Sequence, residues 1–338
     1  MKVLEEGQGP LFTDPDPDHA REFFRKKSRA MTEKVMSVSE AINRFVHDGD
    51  YVASGGFGGM RIATALLHEI LRQGRKNLGF SGHTATHDNQ IMAAGECYDR
   101  CDIAYIIGLE ARGLSPQCRR YYESGKVKLS EWTNAGLYWR YQAAALGVPF
   151  IPGRSSIGSD TFRYSGGKIA ECPFTGKPFV LFPALYPDVA LVHVHESDVY
   201  GNARIHGIAV ADTTLVRASK HVILTTEKLI PNEEIRRNPT LTKIPFYVVD
   251  AVCVVPHGSF PGNMPYLYYS DEKHLMEWLE SEKDPVEHQK FVDRYIRQTN
   301  NFEEYLELCG GAARLAELEK LETLNPHHED ASGLEVAE

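Results

Sequence analysis

Four glycines in six residues, Ser54-Gly-Gly-Phe-Gly-Gly59, separate a short apolar run from a longer, periodically apolar one. Asp50–Ala53 predicts a short buried strand, and 61–73 predicts a helix. That helix carries Ile62, Leu66 and Ile70 on one row and Ala63, Leu67 and Leu71 on the next, one face of a 3.6-residue period. Glycine between strand and helix lets the backbone turn with φ > 0 and leaves no Cβ between it and a ligand. The first helical turn then offers unpaired N–H groups and a positive dipole end, which suits an anionic or phosphate-bearing group. The stretch lacks the lysine of a P-loop, and its spacing is not the dinucleotide fingerprint. On the glycines alone, a ligand-binding turn and a tight structural turn both remain open.

The chain around this turn alternates between strand and helix patterns. Amphipathic Val38–Val46 leads in, and after the helix come a strand at 77–80 and the polar loop Ser81-Gly-His-Thr-Ala-Thr-His-Asp88. Ile103-Ala-Tyr-Ile-Ile107 predicts a strand buried on both faces. Ser115-Pro116 predicts an N-cap with proline at N1, opening a helix to Ser124; a strand at 127–129, a helix at 138–146 and an extended segment at 150–151 follow. Four more strand-like runs lie at 179–182, 189–194, 222–226 and 248–255, with a Gly- and Ser-rich flap or hairpin over 154–178. Asp284-Pro285 with Glu287 opens the helical C-terminal part. This alternation predicts an α/β fold: an open, mostly parallel sheet flanked by helices. Residues 1–33, rich in Pro, Gly and Asp before a basic cluster, read as an N-terminal extension. Residues 34–322 form the main domain, and 323–338 a polar acidic tail.

Several function classes are excluded early. A net charge of −9 opposes broad binding to nucleic acid or an anionic membrane. No apolar run approaches the roughly 18 residues that cross a bilayer, the N-terminus has no signal-peptide core, and six scattered cysteines read as reduced thiols. The expected location is cytoplasmic. His83 with His87, His193 with His195, and Cys97 with Cys101 lack the further ligands a metal site needs, so no metal is expected. There is no Gly-x-Ser-x-Gly elbow, and Gly158-Ser-Asp160 has no base that can be assigned to it. Glu110 follows a predicted parallel strand, where a carboxylate acts as base or substrate anchor, or else pairs with Arg112. Glu131 and Asn134, between a strand and a helix, carry the same two readings. Asp198-Val-Tyr-Gly-Asn202 reads as a structural turn.

The motifs taken together resemble the A (alpha) subunits of family I coenzyme A transferases, of the glutaconate CoA-transferase type. The resemblance covers residues 34–310. It rests on Val46-His-Asp-Gly-Asp50 leading into Gly55-Gly-Phe57, on Ala143-Ala-Ala-Leu-Gly-Val-Pro-Phe150, and on Asp198-x-x-Gly201-Asn202. Glu233-Glu-Ile-Arg-Arg-Asn-Pro239, Ile244-Pro245 and Val249-Asp-Ala-Val252 follow in the same order.

The resemblance implies a NagB/RpiA/CoA-transferase-like fold and a B (beta) subunit partner in a hetero-oligomer such as A2B2 or A4B4. The site would lie between the subunits, the nucleophilic glutamate on B, and coenzyme A would be a thioester substrate. This chain would then supply Gly55, Gly56, Phe57 and Gly58 of the turn, His83 beside it, and Asn134 where related chains carry a glutamine that holds the thioester oxygen. Departures are the missing later glycine and proline of the turn signature, Glu110 where a serine is expected, and residues 1–33, which have no counterpart. Rival readings on the same scaffold are a CoA-thioester hydrolase or a C–C-cleaving or decarboxylating lyase, with Glu110 activating water or a substrate proton. A sugar-phosphate-sensing domain without catalysis is a further one.

Overall fold

The computed structural model describes residues 1–106 and 112–324. In chain order its strands are β1 (Val3–Glu6), β2 (Tyr51–Ser54), β3 (Leu78–Gly82), β4 (Tyr98–Ile103), β5 (Lys128–Glu131), β6 (Phe150–Gly153) and β7 (Lys168–Glu171). They continue as β8 (Pro178–Pro183), β9 (Val189–Ser197), β10 (Ala203–Arg204), β11 (His221–Leu229), β12 (Thr242–Ile244) and β13 (Ala251–Val254). Parallel pairing runs β13-β11-β9-β2-β3-β4-β5; β10 adds antiparallel to the far end of β9, and β12 adds antiparallel to β10. A second, antiparallel sheet has the order β1-β7-β8-β6. The 154–178 stretch thus contributes β7, which pairs with β8, and a short helix at Asp160–Arg163.

The central strands are buried on both faces, so successive residues feed two cores. Val52, Val189, Leu191 and Ile223 face one core with Ile42, Leu66, Ile91 and Trp278. Tyr51, Ala53, Ala190, Val192 and Val222 face the other with Leu137, Tyr141, Leu215 and Phe182. Helices Val38–Phe45, Thr64–Arg72 and His87–Ala94 and the C-terminal helices cover the first face. Asn134–Leu146, Asp212–Ala218 and the antiparallel sheet cover the second.

Three expectations are corrected. The strand predicted at 103–107 is instead β4, Tyr-Asp-Arg-Cys-Asp-Ile, which ends at Ile103. Its polar residues hid it. Asp102 is buried, but Arg140 Nη1 at 2.5 Å, Trp132 Nε1 at 2.6 Å and Tyr51 Oη at 2.5 Å all donate to its carboxylate. A buried charge so satisfied is tolerated in a strand that composition alone would reject. The helix predicted from 61 begins at Thr64, and its residues 64–71 are all buried, so its stripe is one side of a helix enclosed all round. The helix after β3 begins at His87, so the polar loop is shorter than 81–88.

Residues 1–33 lie against the body. β1 pairs with β7, and the Pro17–Lys26 helix is capped by Asp16, whose carboxylate accepts from the Asp18 N–H. Lys27 Nζ then donates to the carbonyls of Lys220 and Val248, each at 2.8 Å, and to Asp250 Oδ2 at 2.7 Å.

Candidate active site at the switch point of the sheet

From β2 the chain steps to β3, β4 and β5 on one side; from β9 it steps to β11 and β13 on the other. The order therefore reverses between β2 and β9, and in open α/β sheets the crevice beyond the carboxyl ends at such a point is where ligands bind. The glycine-rich turn leaves β2 there. Gly55 N–H donates to Leu191 O at 2.8 Å as the last bond between the two strands. Past it, the edge of β9 is taken by β10, with Ala203 opposite Ser197 and Arg204 opposite Glu196.

The turn is braced through its backbone. Gly56 (φ 82°) donates to Asp212 Oδ1 at 2.8 Å, Phe57 and Met60 exchange N–H···O bonds of 3.0 Å, and Gly58 (φ 62°) donates to Thr84 O at 2.9 Å. A Cβ on Gly56 would stand 2.5 Å from Met60 O, closer than real side chains come. Arg61, itself at φ 56°, donates from its backbone to Asn263 O at 2.9 Å. Its fully buried guanidinium reaches Asp212 Oδ2 at 2.8 Å and Ile208 O at 2.9 Å. The start of the next helix is covered as well: Ala65 N–H meets Gly258 O, and Thr64 Oγ1 meets Ser259 O. The expected cradle of free N–H groups is therefore not what Gly55, Gly56, Phe57 and Gly58 provide. Their donors are committed to shaping the turn.

The groups left for a ligand stand beside it, at the ends of β3 and β5. His83 follows β3, packs its ring against Phe57 at a centroid distance of 5.2 Å, and donates from Nε2 to the backbone carbonyl of Asn134 at 3.0 Å. A carbonyl partner requires the proton on Nε2, which leaves Nδ1 a lone pair. Burial pushes the His83 pKa down, so the ring is neutral at pH 7. Asn134 is the first residue of its helix, which Thr133 caps by accepting from the Gly136 N–H at 2.9 Å. His83 Nδ1, Thr84 Oγ1 and Asn134 Oδ1 are all buried and have no hydrogen-bond partner among the described residues. Thr84 also sits at φ 58°, a conformation costly for a β-branched residue. An unsatisfied buried polar group costs about 1–3 kcal/mol, so three on adjoining segments make this the candidate ligand site.

The structure thus brings Phe57, His83 and Asn134 together. Glu110 lies outside the described residues. Of the arginines near the chemistry, Arg61 is spent on the brace and Arg154 is exposed. Arg112 lies beside the turn, where a Cβ on Gly59 would be 3.9 Å from Nη2. It forms a two-bond pair with Glu272, each contact 2.7 Å.

Two residues of the site escaped sequence reasoning. Asp212 stands in an unremarkable Ala-Asp-Thr stretch with no local signal. Asp88, buried against the Ser54 hydroxyl and the N–H groups of Thr86 and Asn89, has its pKa pushed up to about 6 by burial.

The histidines considered as metal ligands have other partners. His193 bonds Thr225 Oγ1 at 2.8 Å and Glu227 Oε1 at 2.7 Å, and His195 bonds Pro265 O at 2.9 Å. Asp198 accepts from the N–H groups of Tyr200 and Asn202, and Gly201 takes φ 93°, a structural turn as expected. Among the described residues no helix is long and apolar enough to cross a membrane.

Comparison with known proteins agrees with this architecture. The chain is 47% identical, over 96% of its length and 73% of the relative's, to an uncharacterized protein of Archaeoglobus fulgidus. It is 31% identical to the A chain of glutaconate CoA-transferase of Acidaminococcus fermentans, over 87% of this chain and 97% of the relative. It is also 31% identical to the corresponding chain of 3-oxoadipate CoA-transferase of Pseudomonas knackmussii, over 80% and 96%. The crystal structure of the Acidaminococcus glutaconate enzyme superposes with a TM-score of 0.81, covering 85% of this chain and 95% of that one. The family model for coenzyme A transferases matches residues 35–254, and with these likenesses it shows that the chain belongs to the coenzyme A transferase family.

Proposed function

We propose that this chain is the alpha subunit of a heteromeric CoA-transferase that moves CoA between an acyl-CoA and a carboxylic acid, with a dicarboxylate as one partner in the exchange. Two relatives named for dicarboxylate substrates, glutaconate and 3-oxoadipate, support the substrate class. The observation that carries the site assignment is the trio of unpartnered buried polar atoms on His83, Thr84 and Asn134, gathered at the switch point beside a rigid turn.

In the reaction, the thioester carbonyl is attacked by a glutamate carboxylate of the beta subunit, and CoA is then carried as a glutamyl thioester until the acceptor acid takes it. Splitting the transfer in this way is the logic of covalent catalysis. This chain contributes no nucleophile. In this reading Asn134 donates from Nδ2–H, not from its buried Oδ1, to the thioester oxygen, where negative charge builds in each tetrahedral transition state and preorganised donors are worth most. Neutral His83 fixes Asn134 through its backbone carbonyl and, with Phe57, walls the pocket. We assign the distal substrate carboxylate to Arg112, whose two-bond pair with Glu272 has the bidentate geometry a second carboxylate would take.

The test is turnover of the co-purified complex with acyl-CoA and acceptor. Replacing Asn134 with Ala should lower kcat by about tenfold or more with KM little changed. Unchanged turnover removes Asn134 from the site. CoA release that needs no acceptor acid would replace the transferase reading with hydrolysis or lyase chemistry.

A further inference from the structure

At the opposite end of the sheet, residues 17–29 roof a cavity of about 510 Å³. Its floor is formed just before the strands begin: Tyr186 precedes β9, Ser219 precedes β11 and Val248 precedes β13. It therefore lies at the amino ends of the parallel strands, away from the switch-point crevice.

Three features of this cavity point to a ligand. First, its lining holds Arg21, Lys27, Arg29 and Arg217 in a chain whose net charge is −9. Lys27 is neutralised by Asp250, and Arg21 is paired with Asp18 at 2.6 Å. Arg217 donates to its own helix at Thr213 O, and Arg29 engages no acceptor among the described residues. The last two guanidiniums are exposed at the mouth of the cavity, and no carboxylate among the described residues pairs with either. Second, Tyr186 belongs to this lining, is 5% exposed, and has a buried hydroxyl with no hydrogen-bond partner among the described residues. Third, the remaining wall is apolar and aromatic, with Phe24, Leu146 and Tyr247 among its members.

We propose that this cavity binds an organic phosphate of nucleotide size. The phosphate meets Arg29, Arg217 and the Tyr186 hydroxyl, and the ring lies along Phe24 and Tyr247. Guanidinium and phenol donors match phosphate oxygens, and aromatic faces match a base. Arg21, Lys27 and Arg29 precede residue 35, where the match to the family begins, so the extension builds the roof of the site. The proposal is independent of the reaction assigned to the crevice.

Isothermal titration of the full chain with ADP, inorganic phosphate and adenosine tests it. ADP should bind one per chain and at least about tenfold tighter than phosphate or adenosine, since each part supplies contacts worth more than one decade. The R29A/R217A double variant should weaken ADP by about tenfold or more, and rising salt should weaken it further. Tyr186→Phe should weaken ADP several-fold while leaving Tm unchanged or raised, because it removes a buried hydroxyl that lacks a partner. No measurable ADP binding would overturn the proposal. So would phosphate binding as tightly as ADP, or ADP affinity unchanged in R29A/R217A, which would place the nucleotide elsewhere on the chain.

Discussion

Replacing Asp212 with Ala tests how the glycine-rich turn is held. The carboxylate accepts from the Gly56 N–H at 2.8 Å and from Arg61 Nη1 at 2.8 Å, and both side chains of the pair are fully buried. Without it, the Arg61 guanidinium keeps only its 2.9 Å bond to Ile208 O, and its Nε already has no partner among the described residues. Removing one member of a buried pair costs about 3–5 kcal/mol, because the other charge is left uncompensated in low dielectric. The orphaned Gly56 N–H overlaps with that cost, so the expected loss is about 4 kcal/mol. An unfolding entropy of about 2.1 cal/mol/K per residue over 338 residues makes this roughly 6 °C in Tm. Urea unfolding should show a lower midpoint with unchanged slope. The R61M/D212L variant should recover much of the loss, since an apolar pair of similar volume carries no desolvation cost. Asp212→Ala within about 1 kcal/mol of the parent would refute the reasoning and leave the turn held by its backbone bonds alone.

The pH dependence of stability follows from buried histidines. Burial pushes His87 and His195 down to about 3, His274 and His288 down to about 4, and His68 well below its usual value. A histidine whose folded pKa is depressed is neutral in the fold and protonated when unfolded near pH 5, so its stabilisation is present above about 6.5 and lost as pH falls. Asp88, raised to about 6, works the other way and takes up a proton in the fold between its two pKa values. With His83 also pushed down, the depressed histidines outnumber the carboxylates that burial raises, Asp88, Glu131 and Glu282. The unfolded chain therefore binds more protons near pH 5, and stability falls as pH falls. Urea midpoints at pH 7, 6 and 5 check this, and a flat profile would mean these rings are not buried neutral. Lys27→Ala should cost about 2–4 kcal/mol, because Asp250 loses its cation and the carbonyls of Lys220 and Val248 lose their donor. A Tm shift below about 1 °C would mean the N-terminal segment is not anchored there.

The fold was legible wherever apolar periodicity and turn chemistry agreed. Ser115-Pro116 and Asp284-Pro285 mark helix starts, and both caps are present: Ser115 accepts from Cys118 N–H, and Asp284 from Val286 and Glu287 N–H. β4 was illegible because its buried Asp102 finds partners on three distant segments, Tyr51, Trp132 and Arg140, which no local pattern announces. The site was half legible. Gly56 and Gly58 announce a backbone at positive φ, but the glycines do not say that its donors are consumed internally. Nor could they reveal Asp212, more than 150 residues away, as the group that consumes one of them. His83 and Asn134 were found through motif position, and their meeting at 3.0 Å depends on β3 and β5 both delivering their ends to one edge.

The central claim is that this chain binds and positions while its partner performs the covalent step. The direct measurement traps the complex with acyl-CoA, reduces it with borohydride, and maps the modified peptide by mass spectrometry. The account predicts one reduced glutamate on the beta subunit, none on this chain, and no turnover by this chain alone. A reduced glutamate here, or acceptor-dependent CoA transfer by the isolated chain, would contradict it.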